Sequence, residues 1–158
     1  MGMRSEIAMK ISPYPKVFLE LKPTPMIPGE IGVFAVRRIF KGVVIVPATI
    51  FQMDVWMSWK QWAGLDPCTR RKLFEYCPGE NEGFFAPRDL NCLPLPWFTN
   101  HSCDPNSGFD KKGNLIALRT IPKGSEVVWD YSTEEHNPKF RMKCKCGSKN
   151  CRKIITAS

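Results

Sequence analysis

Long apolar runs are missing from this sequence: nowhere do about 18 apolar residues follow one another, the length a bilayer-crossing helix needs, so no membrane span is expected. The opening stretch MGMRSEIAMKISPYPK has neither a continuous apolar core nor a small-residue cleavage site, which argues against a secretion signal. Glu6 stands where a myristoylation signal carries Ser or Thr. Internal repeats and low-complexity tracts are absent too, which argues against a solenoid. Helical periods are scarce because 14 prolines and 11 glycines interrupt the chain, and short strands joined by irregular segments are the expected result. What remains is ordinary globular material: 158 residues, 43% hydrophobic, with a mean hydropathy of -0.25. One domain burying about two thirds of its unfolded surface is expected at that length.

The β-branched residues place the strands. An extended run at Val17 to Leu21 lies between prolines, and GVFAVRRIFKGVVIVPATIF follows with apolar runs at Val33 to Val36 and Val43 to Ile50, read as strand, turn, strand. LIALRTI, Leu115 to Ile121, alternates, and PKG leads from it into SEVVWDY, Ser125 to Tyr131, predicting a second pair of strands joined by a turn. The persuasive helical region is Met57 to Cys77. Ser58 and Asp66 are suited to cap two short helices, and Pro67 occupies a favoured first-turn position. Trp59 with Trp62, and Leu73 with Tyr76, are spaced three apart and are expected to face the core.

Seven cysteines are an odd number, and Cys144, Cys146 and Cys151 crowd into CKCGSKNC. Thiolates that close repel unless a cation holds them, so a metal site in a reducing compartment is a better reading than a disulfide framework. Structural zinc takes four ligands, and the residue types leave the fourth open among Cys68, Cys77, Cys92, Cys103, His101 and His136. Cys103 is favoured because it sits in the tight polar loop NHSCDPN. The formal charge is +8, from 23 Lys and Arg against 15 Asp and Glu, and Lys139 to Lys153 is a basic appendage without an acid. Such charge suits nucleic acid or an acidic protein face, and equally plain solubility.

NHSCDPN (Asn100 to Asn106), then PKGSEVVWDY (Pro122 to Tyr131), then the three-cysteine tail, resembles the SET-domain family of protein lysine methyltransferases with its post-SET zinc segment. GEIGVFAVRRIFKGVVI is similar to that family's opening strand pair, so the likeness runs from about residue 16 to 153. It implies a mostly β SET fold: several short sheets, a pseudoknot threading FTNHSC beside VVWDY, and a small helical insert at about 54–95. Residues 16–135 would be the catalytic unit and 136–158 the post-SET zinc segment. It also implies that Cys103 joins Cys144, Cys146 and Cys151 on zinc, and that S-adenosyl-L-methionine is the methyl donor. The donor would be met by Ile31, Gly32, Val33, Phe34, Asn100, His101, Tyr131 and Phe140, with Ile154 beside the adenine; a glycine such as Gly32 lets backbone approach a ligand closely.

Tyr131 is then expected to carry the transfer, orienting the lysine amine and offering an oxygen dipole to the developing charge. Trp129 stands where the family has Phe or Tyr; without a phenol to hold a water, it points to di- or trimethylation. Trp97, Phe98, Phe84 and Phe85 are candidates for the lysine channel. Two departures stand out: Gly29 and Gly32 are separated by two residues where the family has two glycines separated by one, with Glu30 where glycine is commoner, and PATIFQM after Val46 lacks the family's tyrosine and acidic pair. The implied partner is a protein lysine, a histone tail foremost, in a groove built by this chain or completed by a second copy. The basic tail would dock on nucleosomal DNA or an acidic patch, with a nuclear location if the cell is eukaryotic or host chromatin is the target, and a cytoplasmic one otherwise. The rival readings are a SET-like binding module without catalysis, a zinc-stabilised nucleic-acid module, and a cysteine-histidine hydrolase. The last is weakest, because a zinc-bound Cys103 is no free nucleophile.

Overall fold

The computed structural model describes residues 18–51 and 55–158. Val17 of the first extended run, the start of the proposed catalytic unit, and Gln52 and Met53 of PATIFQM lie outside the described residues. In chain order the strands are β1 (Leu19–Pro23), β2 (Ile31–Ala35), β3 (Val44–Val46), β4 (Val55–Ser58), β5 (Gly83–Ala86), β6 (Asn100–His101), β7 (Ser107–Phe109), β8 (Leu115–Ala117), β9 (Glu126–Trp129), β10 (Arg141–Lys143) and β11 (Ile154–Thr156). Two helices, α1 (Trp59–Ala63) and α2 (Pro67–Tyr76), lie between β4 and β5. The architecture is a mixed α/β fold dominated by four short sheets, with orders β1-β2-β9-β6, β3-β8-β7, β4-β5 and β10-β11.

The first two sheets share one core. Val33, Ala35, Ile39, Ile45, Val46, Leu115, Ala117, Ile121 and Val127 form it, the first of them and Ile121 and Val127 with no exposed surface. The two apolar runs expected to pair as strand, turn, strand do form strands, but β2 and β3 enter different sheets. The second run ends at Val46, because Pro47 has no N–H to continue a ladder and Ala48–Ile50 winds into a 3-10 turn tied to Asn114 through Ala48 N (3.0 Å). Likewise β8 pairs with β3 and β7, while β9 pairs with β2 and β6. Leu115 and Ala117 point into the core, whereas Leu118 is exposed and the alternation stops there.

Sequence capping signals are realised in the insert. Ser58 and Gln61 form a reciprocal capping box, with Gln61 N donating to Ser58 Oγ (3.3 Å) and Ser58 N to Gln61 Oε1 (2.9 Å). Asp66 accepts from Cys68 N and Thr69 N, both at 3.0 Å, with Pro67 behind it. A second core of Leu73, Cys77, Phe84 and Ala86 lies beneath these helices, with Trp59 and Trp62 edge to face at 5.9 Å against it. Tyr76 departs from expectation: its ring is half-buried against Phe98 (5.7 Å) rather than in this core.

The strand that matters most is two residues long. β6 runs parallel to β9, pairing Asn100 with Val128 and His101 with Trp129. Asn106 prolongs the pairing as a surrogate peptide: its Nδ2 donates to Glu126 O (2.7 Å) and its Oδ1 accepts from Val128 N (2.9 Å). Buried Ser107 adds an Oγ–H bond to Val128 O (2.9 Å). These bonds hold the polar loop against β9 although the chain between them is some twenty residues long.

Candidate functional site

A cavity of about 860 Å³ opens beside β6 and the end of β9. Ligand pockets fall at about 300–1,000 Å³, so a donor molecule and an inserted side chain fit the volume. Of the residues assigned to the donor from the sequence, Ile31, Asn100, His101, Tyr131 and Phe140 line it, while Gly32, Val33 and Phe34 are buried in β2 and do not. Trp129 lines it too, edge to face with Phe109 (5.0 Å) and 4.9 Å from the Tyr131 ring. Trp97 and Phe98 reach the cavity, but Phe84 is fully buried in the second core and Phe85 is exposed on β5 against Trp56 (5.0 Å). Ile154 is likewise exposed and away from the cavity lining. Two polar atoms of lining residues, Trp97 Nε1 and Thr99 Oγ1, are buried without a hydrogen-bond partner among the described residues.

Tyr131 is held at three points. Its O–H donates to Thr99 O (2.8 Å), its N–H donates to His101 Nδ1 (3.2 Å), and its ring lies 5.3 Å from the imidazole. Burial pushes the phenol well above its ordinary range, with Glu126 and Tyr76 adding to the effect, so the hydroxyl stays protonated and is no general base. Burial pushes the His101 pKa down, Asp130 opposing and Arg152 assisting, so the ring is neutral. A neutral imidazole has one acceptor nitrogen; with Nδ1 accepting from Tyr131, Nε2 carries the proton and donates to Cys103 Sγ at 3.3 Å.

Gly32 has a structural explanation the sequence did not suggest. A Cβ there would overlap Glu126 Oε1 and lie 2.8 Å from Glu126 Cδ and 3.0 Å from Asn100 Nδ2. The space belongs to the Glu126 carboxylate, which accepts from Thr24 Oγ1 (2.7 Å) and Asn100 Nδ2 (2.8 Å), the latter also donating to Ile31 O (3.0 Å). Glu126 thus fixes both the loop after β1 and the side chain of Asn100. Sequence reasoning missed it; an acid opening an otherwise apolar strand is the signal that marks it.

Three of the four cysteines assigned to the metal converge with His101: the ligand atoms of His101, Cys103, Cys144 and Cys146 all lie within 4.8 Å of one another. Cys151, the fourth ligand implied by the resemblance, stands outside that set and hydrogen-bonds through its thiol to Cys144. Cys103 Sγ and Cys144 Sγ are 3.8 Å apart, the edge of a tetrahedron with metal–sulfur bonds of about 2.3 Å. Burial raises the Cys144 thiol to about 12. For Cys146 burial acts the same way but is outweighed by hydrogen bonds from the Cys103 N–H and the Ser148 hydroxyl and N–H, which bring it to about 5. A soft donor set of this kind fits zinc, and a bound divalent ion favours the thiolate at every position.

Charge is unevenly placed. Seven of the 23 Lys and Arg lie between Lys139 and Lys153, so the rest of the chain carries 16 cations against 15 acids, a net of +1. The cavity lining is balanced, with Glu30, Glu75, Glu134 and Glu135 against Lys72, Arg141, Lys143 and Lys145.

Residues 30–132 match the family model described as the SET domain, and the chain belongs to that family. It is 40% identical over 63 residues to histone-lysine N-methyltransferase 2D of Homo sapiens, a match covering 35% of this chain and 1% of that protein. It is 35% identical over 65 residues to histone-lysine N-methyltransferase ash1 of Drosophila melanogaster, covering 37% and 3%. With the H3 lysine-36 specific histone-lysine N-methyltransferase of Candida albicans it shares 34% over 91 residues, covering 53% and 10%. The chain therefore spans a tenth or less of the length of these relatives.

Proposed function

We propose that the protein transfers methyl groups from S-adenosyl-L-methionine to the side-chain amine of a protein lysine, on a histone, adding more than one methyl. The observation that carries this is the cavity in which Asn100, His101, Trp129 and Tyr131 meet in a chain of SET-domain sequence. When bound, the donor supplies a methyl group on a positively charged sulfur. Ile31, Asn100, His101, Tyr131 and Phe140 would hold it, with Gly32, Val33 and Phe34 forming the strand behind.

The Tyr131 O–H donates its hydrogen bond to Thr99 O, so its oxygen lone pairs are free to accept from a substrate amine and orient it. Orientation of this kind is worth several kcal/mol. Phe51, Tyr76, Phe98, Phe109 and Trp129 line an aromatic passage that excludes water and favours the neutral amine. Trp129 offers no phenol to hold a water beside Tyr131, which supports di- or trimethylation. The parallel β6–β9 pairing supports the pseudoknot reading, in which the segment around Asn100 is threaded beside Tyr131.

Zinc would be held by Cys103, Cys144, Cys146 and Cys151, with His101 donating Nε2–H to Cys103 rather than ligating. Residues 16–135 would then be the catalytic unit and 136–158 the zinc segment. The basic tail supports docking on nucleosomal DNA, leaving the charge-balanced cavity for a basic peptide, and a nuclear site of action on eukaryotic chromatin.

The test is labelled donor with core histones, nucleosomes and cell extract, labelled lysines being mapped by mass spectrometry beside Tyr131→Phe. Incorporation lost in that variant is expected; no label on any lysine, with donor bound, sinks the reading. Cys151→Ser is expected to reduce zinc below one per chain while His101→Gln retains it, and the reverse result would exchange their roles.

A further inference from the structure

The C-terminal segment is tied to the turn that carries Tyr131 by the side chain of Arg152, beside the packing of β11 on the same turn. Arg152, which follows Cys151, donates from Nη2 to Asp130 Oδ1 (2.5 Å) and from Nη1 to Ser132 Oγ (3.1 Å). On its other side, Arg152 N and Nε point to Cys103 Sγ at 3.3 and 3.5 Å. Asn150 Nδ2 adds a bond to Cys103 O (2.9 Å), so the segment also grips the Cys103 backbone.

Asp130 is the residue before Tyr131 and caps the 3-10 turn Tyr131–Thr133. Its Oδ1 accepts from Ser132 N (3.1 Å) and Ser132 Oγ (2.9 Å) as well as from Arg152, and lies 3.7 Å from His101 Nδ1. One carboxylate oxygen therefore sets the start of the turn on which Tyr131 sits. The guanidinium holds the Asp130 carboxyl below its ordinary range against the opposing effect of burial, so the cap is charged. A planar fork is needed for this double reach: a lysine at 152 supplies the charge at one point but cannot bond Asp130, Ser132 and a sulfur together.

We propose that Arg152 is a positioning residue that couples the seating of the cysteine segment to the orientation of Tyr131. Released from the metal, the segment withdraws the guanidinium, the Asp130 cap loses its strongest donor, and the Tyr131 turn relaxes. Seated, it completes the turn on which Tyr131 sits. The proposal rests on the methyltransferase reading for its effect on rate, but its structural half is measurable without turnover.

The chain has three tyrosines, so fluorotyrosine labelling gives three fluorine resonances, with Tyr131 assigned by Tyr131→Phe. In Arg152→Ala we expect one zinc per chain and an unchanged circular dichroism spectrum, with the Tyr131 resonance alone shifted or broadened. Ethylguanidinium should return it toward its wild-type position. Chelation of the metal should move the wild-type Tyr131 resonance in the same sense and leave that of Arg152→Ala where it is. On the active protein, the turnover rate should fall about tenfold or more with the KM for donor changed less than about twofold, the signature of lost orientation rather than lost binding. Arg152→Lys should keep zinc but not restore the rate.

A wild-type Tyr131 resonance in Arg152→Ala overturns the proposal, as does a rate that falls only in proportion to lost zinc. If Arg152→Ala does not fold, Asp130→Asn carries the same test, since it keeps the shape of the cap and removes its charge. An inactive wild type whose Tyr131 signal still responds to Arg152 and metal counts against the methyltransferase reading and supports the coupling.

Discussion

Gly32→Ala ordinarily belongs to a class of stabilising changes. In a strand, where the backbone suits either residue, replacing glycine restricts the unfolded chain and adds about 0.4–1 kcal/mol. Here the sign should reverse. The added methyl would occupy the place of the Glu126 carboxylate, so that group must leave the hydroxyl of Thr24 and the amide of Asn100. Hydrogen bonds to a charged group contribute about 1.5–3 kcal/mol each when buried, and half-exposed ones less, so a net loss of about 2–4 kcal/mol is expected. For a domain of this size each kcal/mol moves the midpoint by about 2–4 °C, so thermal melting should fall by roughly 5–15 °C. Donor affinity should weaken in the same variant because Asn100 loses its anchor, which isothermal titration reads directly. Adding Glu126→Ala removes the overlap, and the double variant should be less impaired than the sum of the two single changes. A melting point for Gly32→Ala equal to or above wild type would refute the account of why glycine stands there.

Tyr131→Phe should keep its zinc and its fold while losing most activity, at a stability cost of about 1 kcal/mol because Thr99 O loses its donor; unchanged turnover would remove the tyrosine from the mechanism. Glu134 has its pKa raised first by burial, with Glu80 adding and His136 opposing. A raised acid contributes stability in full below its unfolded pKa and loses it as pH rises through the folded value, so Glu134→Gln should gain on wild type as pH climbs past the ordinary carboxylate range. Denaturant titrations of the pair across that range check it, and a flat difference counts against it. Leu73→Ala removes the central buried side chain of the second core and should cost about 2–5 kcal/mol in the same titrations. Ser58→Ala, by losing one N-cap, should cost about 1 kcal/mol.

Features set by neighbours in sequence were legible before any coordinates. Ser58, Asp66 and Pro67 announce their helices because a cap acts within three residues, and the C-x-C-x4-C spacing announces a metal site because the thiolates repel without one. The resemblance carried by NHSCDPN and VVWDY set Asn100 and His101 beside Tyr131, and all three line one cavity. Sheet membership was not legible: β2 with β9, and β8 with β3, are pairings between distant segments of three to five residues, too short for alternation to choose a partner. Gly32 was read as making way for a ligand, when the group it admits is a carboxylate more than ninety positions away. Arg152 looked like one more charge in a basic tail, since nothing local distinguishes it from Lys153.

The cavity's walls are backed by two different cores, one under the β2–β9 sheet and one under α1, α2 and β5. Substitutions in clusters without shared partners act nearly independently. Residues of the second core such as Leu73 can therefore drift without disturbing the first, whereas Tyr76 is tied to the first core through Phe98. A lineage built on this frame can reshape one wall of the cavity while keeping the other.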